Sequence, residues 1–214
     1  MHSAGGLEAL SSENQQERDS PYLVAGRTCG SCSLCCKLLR IEELEKPVGT
    51  WCNHCASGRG GCAIYDRRPR ECRTFYCSWL VTPQLGPEWR PITAKMLILQ
   101  ETPGQIAVYV DTGSPTAWRR EPYYGQLKTW ARAGVERGTQ VVAYIKNRAI
   151  VILPNKEVDL GMYNAGDGLI VRQINTPHGK DYEALLVHSD EGRSERQMER
   201  TRLHPQLDAT AGAG

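Results

Sequence analysis

The chain has no cysteine outside the stretch from Cys29 to Cys77 and a single phenylalanine, Phe75. It also has no apolar run near the roughly 18–20 residues that a membrane-spanning helix needs, so no membrane partner is expected. Residues Met1 to Ser20 have no apolar h-region, which argues against a secretory signal. The expectation is a cytoplasmic protein in reducing surroundings, where disulfides are rare and grouped cysteines point to metal or redox work. Neither sign of charge predominates. A formal net charge of +2 over 214 residues gives no field to draw nucleic acid or a lipid surface.

Enzyme signatures are largely missing. There is no G-x-S-x-G, no Walker A, no H-E-x-x-H and no G-x-G-x-x-G after a strand. The radical-type spacing C-x3-C-x2-C is absent, and no C-x2-C-H string offers covalent haem attachment. Asp111, Glu157, Asp159 and Asp167 sit at strand ends or in loops. Each reads first as a solvated turn carboxylate, and His178 and His188 as surface polarity. Gly166-Asp167-Gly168 reads as a turn.

Between polar ends at 1–20 and 189–214, which read as disordered, the composition changes once. Residues 21–82 are cysteine-rich and lack regular apolar periodicity. Residues 91–188 contain strand patterns and no cysteine. Ala94 to Gln100 and Gln105 to Asp111 flank Pro103-Gly104 as a hairpin. Pro122 to Ala133 has helical spacing, with Tyr123, Leu127 and Trp130 on one face, Pro122 in the first turn and Gly134 as a stop. Val141 to Lys146 pairs with Ala149 to Leu153, and Gly168 to Ile174 with Tyr182 to His188. The expected fold is α+β: a small, irregular, metal-stabilised cysteine module plus an antiparallel sheet part with one main helix.

What the chain does have is nine cysteines in close order: Cys29, Cys32, Cys35 and Cys36, then Cys52, Cys55 and Cys62, then Cys72 and Cys77. The odd count resists a fully paired disulfide framework. A soft thiolate set selects zinc, copper(I) or iron–sulfur. Cys29-x2-Cys32 and Cys52-x2-Cys55 are two-ligand hooks of the structural zinc type. Cys29-x2-Cys32-x2-Cys35 also reproduces three ligands of the bacterial ferredoxin pattern, without its fourth ligand and proline. A fourth ligand from Cys62, Cys72 or Cys77 would complete a cluster. Adjacent Cys35 and Cys36 diverge in an extended chain, so they serve two centres, or one packs as a small apolar residue. His54, inside the second hook, reads as an exposed loop residue before it reads as a ligand.

Gly61-Cys62-Ala63-Ile64-Tyr65-Asp66-Arg67-Arg68-Pro69-Arg70-Glu71-Cys72-Arg73-Thr74-Phe75 follows the C-x2-C-x2-C-C element. This arrangement resembles the YkgJ-type cysteine-cluster family of zinc- or iron-chelating proteins. The resemblance covers about a quarter of the chain, Cys29 to Phe75, and Cys77-Ser78-Trp79-Leu80 extends it. It implies metal binding by Cys29, Cys32, Cys35, Cys36, Cys55, Cys62, Cys72 and Cys77, with Cys52 less securely part of the pattern. A similar segment in the flagellin lysine methylase goes with an iron–sulfur cluster, but nothing else here resembles that enzyme.

Arg67, Arg68, Arg70 and Arg73 crowd the thiols, where guanidinium groups would offset thiolate charge. Tyr65, Phe75, Tyr76 and Trp79 are expected to roof the site. Three functions follow as expectations. The first is a metal-binding protein holding zinc or iron in a structural or regulatory role, with a protein partner on the sheet part. The second is an iron–sulfur redox protein or enzyme. The third is metal storage or chaperoning.

Overall fold

A computed structural model describes residues 22–55, 61–102, 104–164, 166–177 and 179–188. The expectations for 1–20, for 189–214 and for His178 lie outside these residues. The elements are four short helices, α1 (Cys35–Leu38), α2 (Arg70–Thr74), α3 (Ser78–Val81) and α4 (Pro91–Ala94), and one long helix, α5 (Tyr123–Val135). Seven strands accompany them: β1 (Met96–Thr102), β2 (Gln105–Val110), β3 (Gln140–Ile145), β4 (Arg148–Ile152), β5 (Glu157–Met162), β6 (Gly168–Thr176) and β7 (Gly179–Val187). The fold is α+β with one main helix. The three expected hairpins and the helix are all present.

The sheet departs from the antiparallel expectation in one ladder. β1 to β5 lie side by side in chain order, and β2 runs parallel to β3, from Gln105 opposite Gln140 to Val110 opposite Ile145. The reason is the connection. β1–β2 and β3–β4 are joined by tight turns, which enforce antiparallel pairing. β2 and β3 are joined through α5, and a crossover of that length returns the chain in the same direction. β5 is an added strand, pairing antiparallel with β4 through the stretch read as a loop around Glu157 and Asp159.

Each face of the sheet has its own cover. On one, Met96, Ile98, Val108, Val110, Val141, Ala143, Ile150 and Ile152 pack under α5; of the expected stripe Tyr123 and Leu127 are buried and Trp130 is half-buried against the core, and Ala131 is buried beside them. Trp89 joins this core from the segment before α4, its ring 4.9 Å from that of Tyr123 and 5.4 Å from that of Trp130. On the other face, Ala107, Val142, Tyr144, Ala149, Val151 and Leu153 meet Leu169, Val171, Tyr182 and Ala184 of the β6–β7 hairpin. The period-two alternation puts odd and even positions of one strand into different cores.

α5 does not stop at Gly134. It runs to Val135, and a Cβ at Gly134 would lie 2.3 Å from the carbonyl oxygen of Thr139. Gly134 therefore serves a close backbone approach, while its own carbonyl accepts the N–H groups of Arg137 and Thr139.

Leu97 projects from β1 to the face opposite Met96 and meets Leu34, Leu38, Leu80 and Cys77, with Leu99 and Tyr109 packed beside them. The cysteine segment thus sits on the β1–β2 end of the sheet, while the β6–β7 hairpin covers part of the same face around β3 and β4. Among the described residues no helix is long and apolar enough to cross a membrane.

Candidate metal centre

Three ties hold the cysteine segment in place, the first and third of them to the sheet. The first is the leucine cluster on Leu97. The second is Arg27, whose guanidinium lies over the Trp79 ring at 5.1 Å and donates to the carbonyls of Trp79, Thr82 (2.9 Å) and Leu85 (2.6 Å). The third is Lys37 of α1, whose ammonium meets the Asp111 carboxylate at 2.5 Å and faces the Trp51 ring at 5.5 Å.

Both hooks close as tight turns. Cys32 N–H donates to the Cys29 carbonyl at 2.8 Å, and Cys55 N–H to the Cys52 carbonyl at 3.0 Å. Gly30 takes the left-handed backbone (φ 47°) inside the first turn, where a side chain would be strained. Cys35 and Cys36 open α1, so they are helical rather than extended, and both border the same cavity. The extended-chain argument for divergent thiols therefore does not apply to them. Cys52 N–H donates to the Cys36 carbonyl at 2.9 Å, drawing the second hook against α1. Cys55 and Cys62 face one another in a single antiparallel bridge, supported by Ala63 N–H on the His54 carbonyl at 2.8 Å.

Cys72 rides on α2. This helix is tied to the 42–44 turn by a reciprocal exchange: Glu71 takes the Glu42 N–H at 2.9 Å, and Glu43 takes the Glu71 N–H at 2.9 Å. Pro69, immediately before α2, holds φ at −49°.

Together these elements enclose a cavity of about 220 Å³. Seven thiols border it: Cys29, Cys32, Cys35, Cys36, Cys52, Cys62 and Cys72. Leu39, Ile41, Leu44, Ile64 and Phe75 complete an apolar wall, with His54, Tyr65 and Arg68. Of the aromatic residues expected as a roof, Tyr65 and Phe75 line the cavity, whereas Tyr76 and Trp79 pack with the leucine cluster. Arg68 lies 3.8 Å over the Tyr65 ring, and its charge pulls the thiols of Cys29, Cys62 and Cys72 downward. Arg67 and Arg70 are exposed. His54 is half-buried along the wall rather than in solvent.

Burial dominates the thiol electrostatics. It pushes Cys72 up to about 11, with Cys36, Cys52 and Cys62 adding repulsion. It likewise pushes Cys77 up to about 11, with Cys29 and Cys32 adding to the rise, while the N–H groups of Leu80 and Trp79 favour the thiolate. Cys36 rises most, through its hydrogen bond with Cys35, its burial and the neighbouring Cys35 charge. Burial also raises Cys55, opposed by the hydroxyl of buried Ser33. The interactions sort the thiols around two foci. Cys36 adds to the rise of Cys55, Cys62 and Cys72, whereas Cys29 and Cys32 add to the rise of Cys77. Cys29, which also feels Cys36, lies between them.

The donor chemistry fits a soft metal, since the polar groups converging on the cavity are mainly thiols. Among the described residues, no three Cys, His, Asp or Glu side chains are gathered closely enough to hold one ion as they stand. The thiols border a volume rather than meet at a point.

The carboxylates considered for catalysis are engaged elsewhere. Asp111 pairs with Lys37, Glu157 with Arg119 at 2.5 Å, and Asp159 with Arg148 at 2.5 Å. Asp167 closes its turn by accepting the Asn164 N–H at 2.9 Å, and it faces His188 at 3.2 Å. Sequence reasoning missed two participants near the thiols, Ser33 and Lys46. Both are buried polar residues in a segment without periodicity, so no pattern marks them. Protein-family models, curated proteins and solved structures were each compared with this chain, and none matches.

Proposed function

We propose that this is a metal-binding protein that holds zinc or iron through the thiols of its cysteine segment, in a structural or regulatory role, with the sheet part as a platform for a protein partner. The observation that carries the reading is the border of the cavity: seven cysteines from three separate stretches of chain line one space. Cys55 and Cys77 stand outside that border, Cys55 bridged through the backbone to Cys62, and Cys77 packed with Leu34, Leu80 and Leu97. Thiols displaced from their ordinary pKa by burial are poor anions alone, and a bound metal supplies the charge that stabilises them as thiolates. The metal would in turn lend folding energy to a segment whose helices are each one turn long.

A second reading, an iron–sulfur protein with redox or enzymatic work, is favoured by the cavity itself. A polynuclear cluster spreads its ligands around a volume, whereas a single zinc ion gathers them at about 2.3 Å. The ferredoxin-like spacing of Cys29, Cys32 and Cys35 agrees with this reading. Purification without oxygen, followed by metal analysis, acid-labile sulfide determination and a visible spectrum, separates the two. Zinc without sulfide or colour supports the first. Iron with matching sulfide and visible absorption supports the second. A colourless protein free of both metals, unable to take either up, sinks both.

A further inference from the structure

Lys46 is 5% exposed, an uncommon place for an ammonium. A tight loop holds it there: Ile41 and Lys46 exchange both backbone hydrogen bonds at 3.0 Å across a turn in which Glu45 takes φ 47°. Its Nζ donates to the carbonyls of Leu39, Pro47 (2.9 Å) and Lys37 (3.4 Å). These acceptors satisfy its hydrogens but carry no charge. Among the described residues no carboxylate forms an ion pair with it. Lys46 lies directly behind the thiol cavity: its partners Leu39 and Ile41 both line that cavity with Cys35, Cys36, Cys52 and Cys72, and the Lys37 carbonyl that it reaches belongs to the residue after Cys36. Burying a cation beside neutral thiols costs free energy, and burying it beside thiolates recovers that cost.

We propose that Lys46 is a built-in counter-charge for the thiol centre: its ammonium offsets the anionic thiolates of Cys35, Cys36, Cys52 and Cys72 once they bind metal. It tightens binding without touching the metal. The inference rests on the metal-binding reading and adds to it a residue outside the ligand set. Lys46 is absent from the cavity wall, so it acts through the thiols as a positioning residue. Burial holds its own pKa below the ordinary lysine value, and the four cysteines oppose that fall.

The test uses the full chain with Lys46→Gln, which retains hydrogen-bond donors without charge, and Lys46→Arg, which retains charge. Zinc affinity is measured by competition with a chromophoric chelator, and urea unfolding is followed with and without excess EDTA. Lys46→Gln is expected to bind zinc about tenfold to a hundredfold more weakly, and Lys46→Arg to stay close to wild type. Metal-free Lys46→Gln is expected to unfold at higher urea than metal-free wild type, because an uncompensated buried charge is gone. Undiminished zinc affinity in Lys46→Gln overturns the proposal. So does equal destabilisation of its metal-free and zinc-loaded forms, or failure of the metal-free variant to fold, since each makes the lysine a hydrogen-bonding strut. A wild type that takes up no zinc and carries no other metal overturns the metal-binding reading along with it.

Discussion

The backbone N–H of Cys52 donates to the carbonyl of Cys36 at 2.9 Å, and this bond is where the two halves of the cysteine pattern meet. It sets the Cys52–Cys55 hook against the helix that carries Cys35 and Cys36. Around that junction Cys36 adds to the upward shift of the Cys55, Cys62 and Cys72 thiols.

Cys72 belongs to this focus, and it reaches the cavity on a helix of five residues. Cys72→Ser removes a soft donor while preserving shape and a polar atom. Metal per chain should fall and the melting temperature should drop by several degrees, as expected for a loss of order 1–2 kcal/mol in a domain of this size. Metal analysis and calorimetry on the same sample check it. Wild-type metal content with an unchanged melting temperature removes Cys72 from the ligand set.

The metal-free protein should lose stability above neutral pH. The thiol of Cys77 is raised from 9.0 to about 11 by burial. The unfolded chain releases that proton near 9 while the folded chain holds it until about 11. Between those values the folded state binds more protons, so stability falls as pH rises. Urea unfolding of EDTA-treated protein from pH 8 to pH 11 should show a fall that is shallower in Cys77→Ala. Equal pH slopes in the two proteins contradict the assignment.

Lys37 and Asp111 tie α1 to the end of β2, and both side chains are largely covered, at 16% and 14% exposure. Burial works to raise the Asp111 carboxyl, but the Lys37 ammonium and the Gly113 N–H outweigh it and hold the group below its ordinary value. Its contribution is therefore present at neutral pH and is lost as pH falls through the depressed pKa. Asp111→Asn should cost about 1–3 kcal/mol at pH 7 by leaving a partly buried ammonium without its anion. The cost should shrink toward pH 2. Denaturant titrations at both pH values test it, and a pH-independent difference argues against the ion pair.

Gly134→Ala gives a prediction opposite in sign to helix propensity. In an open helix the change gains up to about 1 kcal/mol. Here the new Cβ would meet the Thr139 carbonyl at 2.3 Å, so the chain between α5 and β3 must shift. The variant should be destabilised by about 1–3 kcal/mol. A rise in melting temperature would show that the approach relaxes freely.

The periodic elements were legible because local patterns dictate them. Tyr123 and Leu127 mark one face of α5, and the hairpin turns fall where glycine and polar residues interrupt alternating apolar runs. The parallel β2–β3 ladder was not legible, because it depends on where α5 returns the chain rather than on either strand. β5 was missed because Glu157, Asp159 and Gly161 depress strand character, and only pairing with β4 makes it a strand. Trp89 and Leu85 fall between the two compositional stretches, where no pattern marks them, yet both are buried in the main core. At the site, spacing identified the cysteines. It gave no hint that Cys35 and Cys36 would share a helix and a cavity, or that Lys46 would be buried behind them. Tertiary contacts between irregular segments decide those features, and no sequence period records them.

The measurement that bears most directly on the central claim is X-ray absorption at the K edge of whichever metal the protein retains. Thiol ligation predicts a first shell of sulfur alone, at about 2.3 Å for zinc, and loss of that shell in Cys36→Ser combined with Cys72→Ser. A first shell of oxygen and nitrogen, unchanged in that double variant, would place the metal elsewhere and contradict the account.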